Sequence, residues 1–434
     1  MTPSESQRPH AHQGDRIDVC LVALGALPVV DPNLQRPIGG TETRAWQFAK
    51  GLAARDDASA SLVVRTTHSR PAFERNGVTI LPRHERLFTL YEAVGHSLEK
   101  SPRFPGIRIR RLNPNLIWQL PVVALHRTFL SRPRDPRRPC PFFQQIPADV
   151  FVAFGVQSTA ATVIASAHET SRPAVLVLGS DSDLDERYQS GSAFVSPYGD
   201  RGDVCHHILM RADAIVAQTE KQQRLLRDRF GRESTLIQNP IDAAEWDERA
   251  SASLNPDDTA GLDRFILWVG RAESVHKRPL ICLELARMLP DVDFLMILNP
   301  RDPAVQREVY HHAPPNVRCV SHVPFERIPS VFARAAALVS TSSLEGFPNV
   351  FLQAALSRVP IASLEVGEEL LSRFPGSRVA HGDLSALSAF LRDAWTGNGP
   401  DSNTLDVARN VVINEHGLER QTTLLAEVLC AARS

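Results

Sequence analysis

The sequence predicts an α/β protein with two doubly wound, parallel-sheet domains that face a central cleft. Short apolar runs alternate with longer helical stretches along the chain, which is typical of parallel sheets covered by helices on both faces. The 434 residues are too many for one ordinary hydrophobic core. A polar stretch of weak periodicity, residues 243–263, separates two series of such runs.

The predicted strands form two groups, one on each side of that stretch. The first half contains apolar runs at residues 17–26, 61–68, 78–82, 149–155, 174–180, 214–219 and 235–240. The second half contains apolar runs at residues 265–271, 293–299, 317–323, 336–342 and 360–365. Ligands of such folds bind at the carboxyl ends of the strands, so the cleft between the domains is the expected site.

These groups define the expected domain boundaries. Residues 1–15 are polar and lack an apolar stretch, which predicts a disordered tail and not a signal peptide. Residues 16–242 form the expected N-terminal domain, residues 243–263 a linker, and residues 264–405 the C-terminal domain. Residues 406–434 are expected to form a helix that packs back on the N-terminal domain.

Composition indicates a cytoplasmic protein. The net charge of −1 argues against a general nucleic-acid binder. The six cysteines contain no CxxC pair, which is typical of reduced residues in a cytosolic protein. No run of eighteen apolar residues occurs, so no membrane span is expected.

The most informative segment is residues 342–360, SSLEGFPNVFLQAALSRVP. Strand-like runs precede and follow it, so that a strand, a Gly-containing turn and a helix come in order. The N-terminus of such a helix is a ready anion site, because its unpaired backbone N–H groups point at the ligand. Glu345 precedes Gln353 by eight residues. In a mostly helical segment they would lie about 12 Å apart along the axis, which suits an extended ligand such as a nucleotide-sugar.

This segment resembles the EGFPN signature of retaining glycosyltransferases of the GT-B fold, in particular glycosyltransferase family four (glycosyl transferases group 1). The resemblance implies two Rossmann-like domains, the first on the acceptor side and the second binding a nucleotide-sugar, with no metal or other cofactor. It implies that Glu345 touches the donor sugar. It also implies donor contacts from Gly346, Phe347, Pro348, Asn349 and Val350.

The family's second glutamate, which grips the ribose, is Gln353 here. An amide can still donate to and accept from a ribose hydroxyl. It gives up the stronger charge-assisted bond of a carboxylate. Gln353 is therefore interpreted as a variant donor-binding residue.

A second segment, FILWVGR followed by a lysine, is similar to the family's VGR…K pattern. Gly270 and Arg271 end an apolar run, and Lys277 comes six residues after Arg271. The resemblance implies that Arg271 and Lys277 hold the donor diphosphate, because fixed cations stabilise the charge that the leaving group gains. With Glu345 they are the expected catalytic residues. The alternative is that Arg271 caps a turn and Lys277 is solvated. Val323 is expected beside the base.

Gly39 and Gly40 open an amphipathic helix after the first predicted strand, and Glu42 follows. The pattern resembles the family's GGxE loop, which approaches the donor phosphates or the acceptor. Glycines let the backbone come close to a ligand, and the helix N-terminus favours an anion. Taken alone, a double glycine before a helix is more often a plain turn.

Asp181 and Asp183 follow a predicted strand in the segment GSDSDLD. An Asp-x-Asp pair could hold a metal, but Asp and Ser clusters after a strand are more often turns and helix caps. The resemblance instead implies that they face the cleft as acceptor or sugar contacts, with no metal. Many family members carry a His near the donor sugar where this chain has Leu178.

The segment 100–138 is strongly basic, and it contains one acid, Asp135. Apolar residues such as Trp118 and Leu125 are interleaved, which suits an anionic membrane surface. The alternative is a solvated basic loop around one ordinary helix. Its ten cations are Lys100, Arg103, Arg108, Arg110, Arg111, Arg127, Arg132, Arg134, Arg137 and Arg138.

The resulting prediction is a retaining, metal-independent glycosyltransferase. It would move a sugar from a UDP- or GDP-sugar to a hydroxyl of a glycan or polyprenyl-diphosphate-linked acceptor, in cell-surface polysaccharide or glycoconjugate synthesis. It would be cytoplasmic and peripheral on the inner face of the plasma membrane.

Two alternatives stay open. A sugar-nucleotide epimerase would need acidic and His catalytic groups, which the sequence does not place together. The second alternative is a scaffold that binds a nucleotide-sugar without turnover, and the residues that favour it are Gln353, Asn299 and Leu178.

Overall fold

The computed structural model describes residues 16–433, except residues 32, 35–38, 101–106, 110–112, 127, 129–134 and 197. The predicted tail, residues 1–15, lies outside the described residues. So do six of the ten cations of the basic segment, namely Arg103, Arg110, Arg111, Arg127, Arg132 and Arg134.

The described part of the N-terminal domain contains an eight-stranded sheet in the order β10-β9-β8-β7-β1-β2-β4-β3, parallel except for β3. Its central strands are buried along their whole length, because helices cover both faces. The strands are β1 (Ile17–Val22), β2 (Ala58–Thr66), β3 (Phe73–Arg75), β4 (Val78–His84), β7 (Val150–Phe154), β8 (Ala174–Val177), β9 (Ala214–Ala217) and β10 (Thr235–Leu236), with a separate antiparallel pair of β5 (Leu98–Lys100) and β6 (Ile107–Ile109).

The helices of this domain connect successive strands and pack on the two faces of the sheet. They are α1 (Leu27–Val30), α2 (Gly40–Ala53), α3 (Arg86–Ser97), α4 (Leu116–Leu125), α5 (Pro141–Gln144), α6 (Ser158–Glu169), α7 (Gly202–Arg211) and α8 (Glu220–Phe230), with a 3-10 turn at Asp181–Leu184. Among the described residues, no helix is long and apolar enough to cross a lipid bilayer.

The C-terminal domain is built on a six-stranded, fully parallel sheet in the order β13-β12-β11-β14-β15-β16. Its strands are β11 (Phe265–Arg271), β12 (Phe294–Asn299), β13 (Val317–Val320), β14 (Ala335–Ser340), β15 (Ile361–Ser363) and β16 (Arg378–Val379). The helices of the second half of the chain are α9 (Ala243–Ala250), α10 (Pro279–Met288), α11 (Pro303–His312), α12 (Ile328–Phe332), α13 (Asn349–Leu356), α14 (Glu368–Leu371), α15 (Leu384–Thr396), α16 (Ser402–His416) and α17 (Leu418–Arg433). The predicted fold of two parallel-sheet α/β domains is confirmed.

The segment 243–263, expected to be a plain linker, contains helix α9 and a 3-10 turn at Pro256–Thr259. The Asp242 carboxylate accepts a hydrogen bond from the Glu245 backbone N–H at 3.0 Å and so caps α9. Trp246 is buried against Phe332, and its indole N–H donates to Ser357 Oγ at 2.9 Å. One buried tryptophan therefore attaches a mostly polar helix to the C-terminal domain, which periodicity alone did not indicate.

The C-terminal stretch, expected to be one helix from residue 406, consists of α16 and α17. Helix α16 contributes Ala408 and Val412 to the C-terminal core, whereas α17 contributes Leu425 and Leu429 to the N-terminal core. The chain bends at Gly417, where a Cβ would lie 2.6 Å from the carbonyl oxygen of the preceding turn. The two domains are thus joined by a second crossing of the chain in addition to the segment at residue 242.

Candidate functional site

A pocket lies between the two domains, at the carboxyl ends of the first three strands of the C-terminal sheet. Its floor includes Val269 of β11, Ile297 of β12 and Val323, which follows β13. The start of α2 closes it from the N-terminal domain, and the start of α13 from the C-terminal domain. Six predicted donor-binding residues share this pocket: Gly39, Gly40, Val323, Asn349, Val350 and Gln353.

The polar part of this pocket contains His322, Asn299 and Gln353. Burial, with the nearby Arg327 charge, holds the pKa of His322 below its usual value, so its ring is neutral at neutral pH. An uncharged imidazole and two amides can exchange hydrogen bonds with a neutral heterocycle or a hydroxyl.

The end of β11 and the loop that follows it carry two of the three predicted catalytic residues, Arg271 and Lys277. Arg271 is exposed at the end of the strand. The Glu273 carboxylate accepts hydrogen bonds from the backbone N–H groups of Val275, His276 and Lys277 at 3.2, 3.1 and 2.7 Å. These bonds fold the loop into a compact turn that returns Lys277 to the cleft.

Lys277 forms an ion pair with Glu345, the third predicted catalytic residue. Ser342 Oγ donates to the same carboxylate at 2.7 Å, and both charged side chains are less than one-fifth exposed, at 18% and 17%. The loops after β11 and β14 are also joined by a hydrogen bond from the Ser343 backbone N–H to the His276 carbonyl at 2.8 Å. Lys277 is therefore held at the site and is not a solvated lysine.

Helix α13 begins later than the sequence spacing assumed. Pro348 is its N-cap residue, so Glu345, Gly346 and Phe347 lie in the loop before it. Only the first turn of α13 separates Asn349 from Gln353. The axial separation expected for Glu345 and Gln353 in one helix is wrong, because proline at the N-cap and glycine before it keep the preceding residues extended or turned.

Asn349, the first residue of α13, connects the two domains. Its side-chain oxygen accepts a hydrogen bond from Asn239 Nδ2 at 2.5 Å, and its amide nitrogen donates to the Gly40 carbonyl at 3.3 Å. Asn239 in turn accepts from Arg44 at 3.1 Å, and Arg44 also donates to the Leu178 carbonyl at 2.5 Å. We call the side chains Arg44, Asn239 and Asn349 the interdomain latch.

Sequence reasoning missed Arg44 as part of the site. It is 2% exposed in the first turns of α2, and burial lowers its pKa to about 9, although the nearby Asp183 carboxylate opposes that shift. The one sequence signal for this role was an arginine inside the helix that opens the cleft. An arginine that becomes buried there needs polar partners, because arginine is rarely buried without them.

Asp183 and Asp181 are engaged within the N-terminal domain. Asp183 is buried, which raises the pKa of its carboxyl group, and it accepts from the Gly179 backbone N–H at 2.6 Å. Asp181 pairs with Lys221 at 2.7 Å. Neither side chain lines the interdomain pocket. Asp183 therefore shapes the loop that follows β8.

That loop meets the Gly346 loop across the cleft. A Cβ on Gly346 would lie 2.8 Å from the Cα of Ser180, so only glycine allows this approach. Phe347 packs on the buried ring of His416, with ring centroids 5.4 Å apart. Burial, with the Arg373 charge, lowers the pKa of His416 to about 4.

Glu42 lies in the first turn of α2 and folds back over Gly39 and Gly25. A Cβ on Gly25 would be 2.6 Å from a Glu42 carboxylate oxygen, and a Cβ on Gly39 would be closer still. Gly25 and Gly39 thus leave room for the Glu42 carboxylate beside the helix N-terminus, which favours a negative charge. Gly270 lies one residue before Arg271 and packs on the ring of Trp268.

Comparison with known proteins agrees with this architecture. Residues 263–395 match the family model described as glycosyl transferases group 1. No curated protein sequence matches the chain. Among solved structures, HepE from Anabaena, in complex with UDP and glucose, has a TM-score of 0.62 at 14% identity, covering 96% of this chain and 100% of its own.

Two further structures align over almost their whole length. Sucrose-phosphate synthase from Thermosynechococcus elongatus has a TM-score of 0.62 at 15% identity, covering 96% of this chain and 99% of its own. The trehalose-6-phosphate protein from E. coli, bound with UDP-2-fluoro glucose, has a TM-score of 0.59 at 11% identity, covering 95% and 98%. At these identities the likeness establishes the fold. The chain therefore has the GT-B fold, and its residues 263–395 are similar to the glycosyl transferases group 1 domain.

Proposed function

We propose that this protein is a retaining glycosyltransferase of family four, which transfers a sugar from a UDP- or GDP-sugar to a hydroxyl group. The observation that carries the proposal is the interdomain pocket, because one cavity collects six residues that the sequence resemblance assigns to the donor. The comparisons support it through the group 1 match and through neighbours of known structure that hold UDP or a UDP-sugar.

The nucleoside is assigned to the inner part of the pocket. Val269, Ile297 and Val323 offer an apolar surface for a base, and the neutral His322 ring offers a polar edge. Gln353 is assigned to the ribose, since its amide lines the same pocket at the start of α13.

The diphosphate is assigned to Arg271 and Lys277. In the structure Lys277 is paired with Glu345. A bound diphosphate would compete for the lysine, because its two phosphates carry more charge than one carboxylate. Glu345 would then be released to accept hydrogen bonds from hydroxyls of the donor sugar. The two cations would stabilise the charge that forms on the leaving diphosphate, so the proposal includes no metal.

We assign retention of the anomeric configuration to attack by the acceptor hydroxyl on the same face of the sugar from which the leaving group departs. The leaving phosphate oxygen would take the proton of the acceptor hydroxyl as the new glycosidic bond forms, so no protein base is required. The acceptor would be a glycan or a polyprenyl-diphosphate-linked glycan, in cytoplasmic synthesis of cell-surface polysaccharide or glycoconjugates. Closure of the cleft by the latch would exclude water and so limit hydrolysis of the donor.

A second candidate is a scaffold that binds a nucleotide-sugar without efficient turnover. Three residues favour it: Gln353 where the family has a second glutamate, Asn299 in the pocket where relatives often have glycine, and Leu178 where many members have histidine. This candidate predicts the same donor binding but no sugar transfer.

Thermal unfolding with a panel of nucleotides and nucleotide-sugars tests the proposed site. A ligand at about 100 times its dissociation constant stabilises the folded protein by about 2.7 kcal/mol, which is easily measured. We expect one nucleotide to raise the melting temperature, and Arg271→Ala and Lys277→Ala to abolish the shift. Arg287→Ala, an exposed cation in the last turn of α10, is the matched control and should keep it. A panel without any shift would refute the proposal.

A further inference from the structure

Helix α4 has the reverse of the usual amphipathic arrangement. Its solvent face carries large apolar side chains, with Ile117 83% exposed, Trp118 54% and Leu125 53%. Leu120 and Val122 are exposed on the same helix. A soluble protein rarely exposes such a contiguous apolar patch unless it marks an interaction site.

The inward face of α4 is fixed by specific contacts, so its apolar side is turned outward by the fold. The inward positions recur at helical spacing and include Leu116, Gln119 and Val123, followed by His126. His126 Nδ1 shares a hydrogen bond with the Tyr91 hydroxyl of α3 at 3.0 Å. A polar glutamine therefore lies on the buried side while isoleucine and tryptophan face solvent.

The sequence that contains this helix is strongly basic. Residues 100–138 contain ten Lys or Arg and one acid, in a chain whose net charge is −1. That acid, Asp135, is paired with Arg137 at 2.9 Å. Arg108 and Ile109, on strand β6, are both exposed, which adds a cation and an apolar side chain to the described surface.

The helix lies on the cleft side of the N-terminal domain. Strands β2 and β4 are parallel and end together at Thr66 and His84. The chain passes from that end of β4 into α3, which is held there by a hydrogen bond from Thr89 Oγ1 to the Thr67 carbonyl at 3.2 Å, and α3 carries α4. The apolar patch therefore lies at the end of the sheet where the carboxyl ends of the strands face the cleft.

We propose that the exposed face of α4 inserts into the headgroup region of an anionic lipid membrane, with exposed cations of the described surface such as Arg108 contacting the lipid phosphates. Apolar side chains enter the interface while cations remain at its charged surface. The membrane contact itself is independent of the enzymatic activity. The consequence that the cleft then opens toward a lipid-borne acceptor rests on the proposed function.

Vesicle sedimentation tests the membrane contact with the full-length protein. We expect binding to vesicles of phosphatidylcholine with phosphatidylglycerol and much weaker binding to phosphatidylcholine alone, since each basic residue near an anionic surface changes binding about fivefold. The double variant Ile117→Ser with Leu125→Ser should bind at least about tenfold more weakly, because two apolar side chains no longer leave water. Val407→Ser, which replaces a valine on α16 that is about as exposed as Leu125, is the control and should bind as the original protein does.

Tryptophan fluorescence reports insertion directly. Three of the five tryptophans are buried and Trp395 is partly buried, so Trp118 is the most exposed to a lipid environment. Anionic vesicles should shift the emission to shorter wavelength, and Trp118→Phe should remove the shift while leaving most of the binding intact. A shift that survives Trp118→Phe would contradict insertion of α4.

Three further results would overturn the proposal. They are no binding to anionic vesicles, equal binding by the Ile117→Ser/Leu125→Ser variant, or a concentration-dependent dimer that this variant abolishes in the absence of lipid. The last result would assign the face to a second copy of the chain. Nucleotide binding measured without vesicles should be unchanged in the variant, so failure of the membrane contact and failure of the glycosyltransferase proposal are separable.

Discussion

The interdomain latch can be tested with the single substitution Asn239→Ala. Asn239 is 3% exposed, and its side chain accepts from Arg44 at 3.1 Å and donates to Asn349 across the cleft. An amide–amide hydrogen bond contributes about 1 kcal/mol net, and a hydrogen bond to a guanidinium about 2 kcal/mol. The substitution should therefore lower the free energy of unfolding by about 3 kcal/mol.

Only part of that loss concerns domain closure. The Arg44 bond lies within the N-terminal domain, whereas the Asn349 bond joins the two domains. If the nucleotide binds the closed cleft, loss of the second bond should weaken nucleotide affinity about fivefold, which corresponds to about 1 kcal/mol. Isothermal titration calorimetry gives the affinity, and urea denaturation gives the stability.

Asn316→Ala is the matched control, because Asn316 Nδ2 donates to three carbonyls at 2.8–3.0 Å inside the C-terminal domain alone. It should lower stability and leave nucleotide affinity unchanged. Equal effects of the two substitutions on affinity, or an Asn239→Ala protein that binds nucleotide as well as the original, would refute the latch.

Three further predictions follow from single residues. Gln353→Glu should leave sugar transfer nearly unchanged or lower it, measured as initial rate; a sharp gain would indicate a decayed site and favour the scaffold. Folding lowers the pKa of His416 from 6.5 to about 4, so the unfolded chain binds more protons in that window, and stability should rise with pH between about 4 and 6.5. His416→Gln should flatten that rise in a series of urea titrations, and an unchanged slope would contradict the neutral buried ring. Trp246→Ala should lower the free energy of unfolding by about 3–5 kcal/mol, whereas Trp246→Phe, which loses mainly the 2.9 Å bond to Ser357, should cost about 1 kcal/mol; similar losses would show that packing contributes little.

Local pattern predicted the sheets because their strands are apolar on both faces. The five buried residues of β7 are an uninterrupted apolar run, and the switch from β14 to α13 is marked by glycine and proline. These signals depend on neighbouring residues. Their order along the chain predicted two parallel-sheet domains, and the resemblance of the EGFPN segment implied the GT-B arrangement.

The latch could not be predicted in that way. Arg44 and Asn239 are 195 residues apart, and the partners of a polar side chain depend on which loops the fold brings together. The same reason applies to the ion pair between Asp181 and Lys221, which lie 40 residues apart. Helix α9 escaped prediction because one tryptophan, and no periodic stripe, attaches it to the core.

The sequence predicted that Lys277 and Glu345 both contact the donor, but it did not predict that they pair with each other. The resemblance assigns both residues to the donor, but 68 residues separate them, and their direct contact depends on the adjacent ends of β11 and β14. In the proposed mechanism, a donor diphosphate that binds Lys277 would have to displace Glu345 from this pair.

The most direct test of the central claim is to follow a hydrolysed or transferred nucleotide-sugar by proton NMR and record which anomer of the sugar appears first. A retaining transferase should release the α anomer first from an α-linked donor, and Lys277→Ala should slow this reaction strongly while Arg287→Ala should not. A β anomer that appears first would refute retention, and a donor that binds and is never consumed would refute transfer.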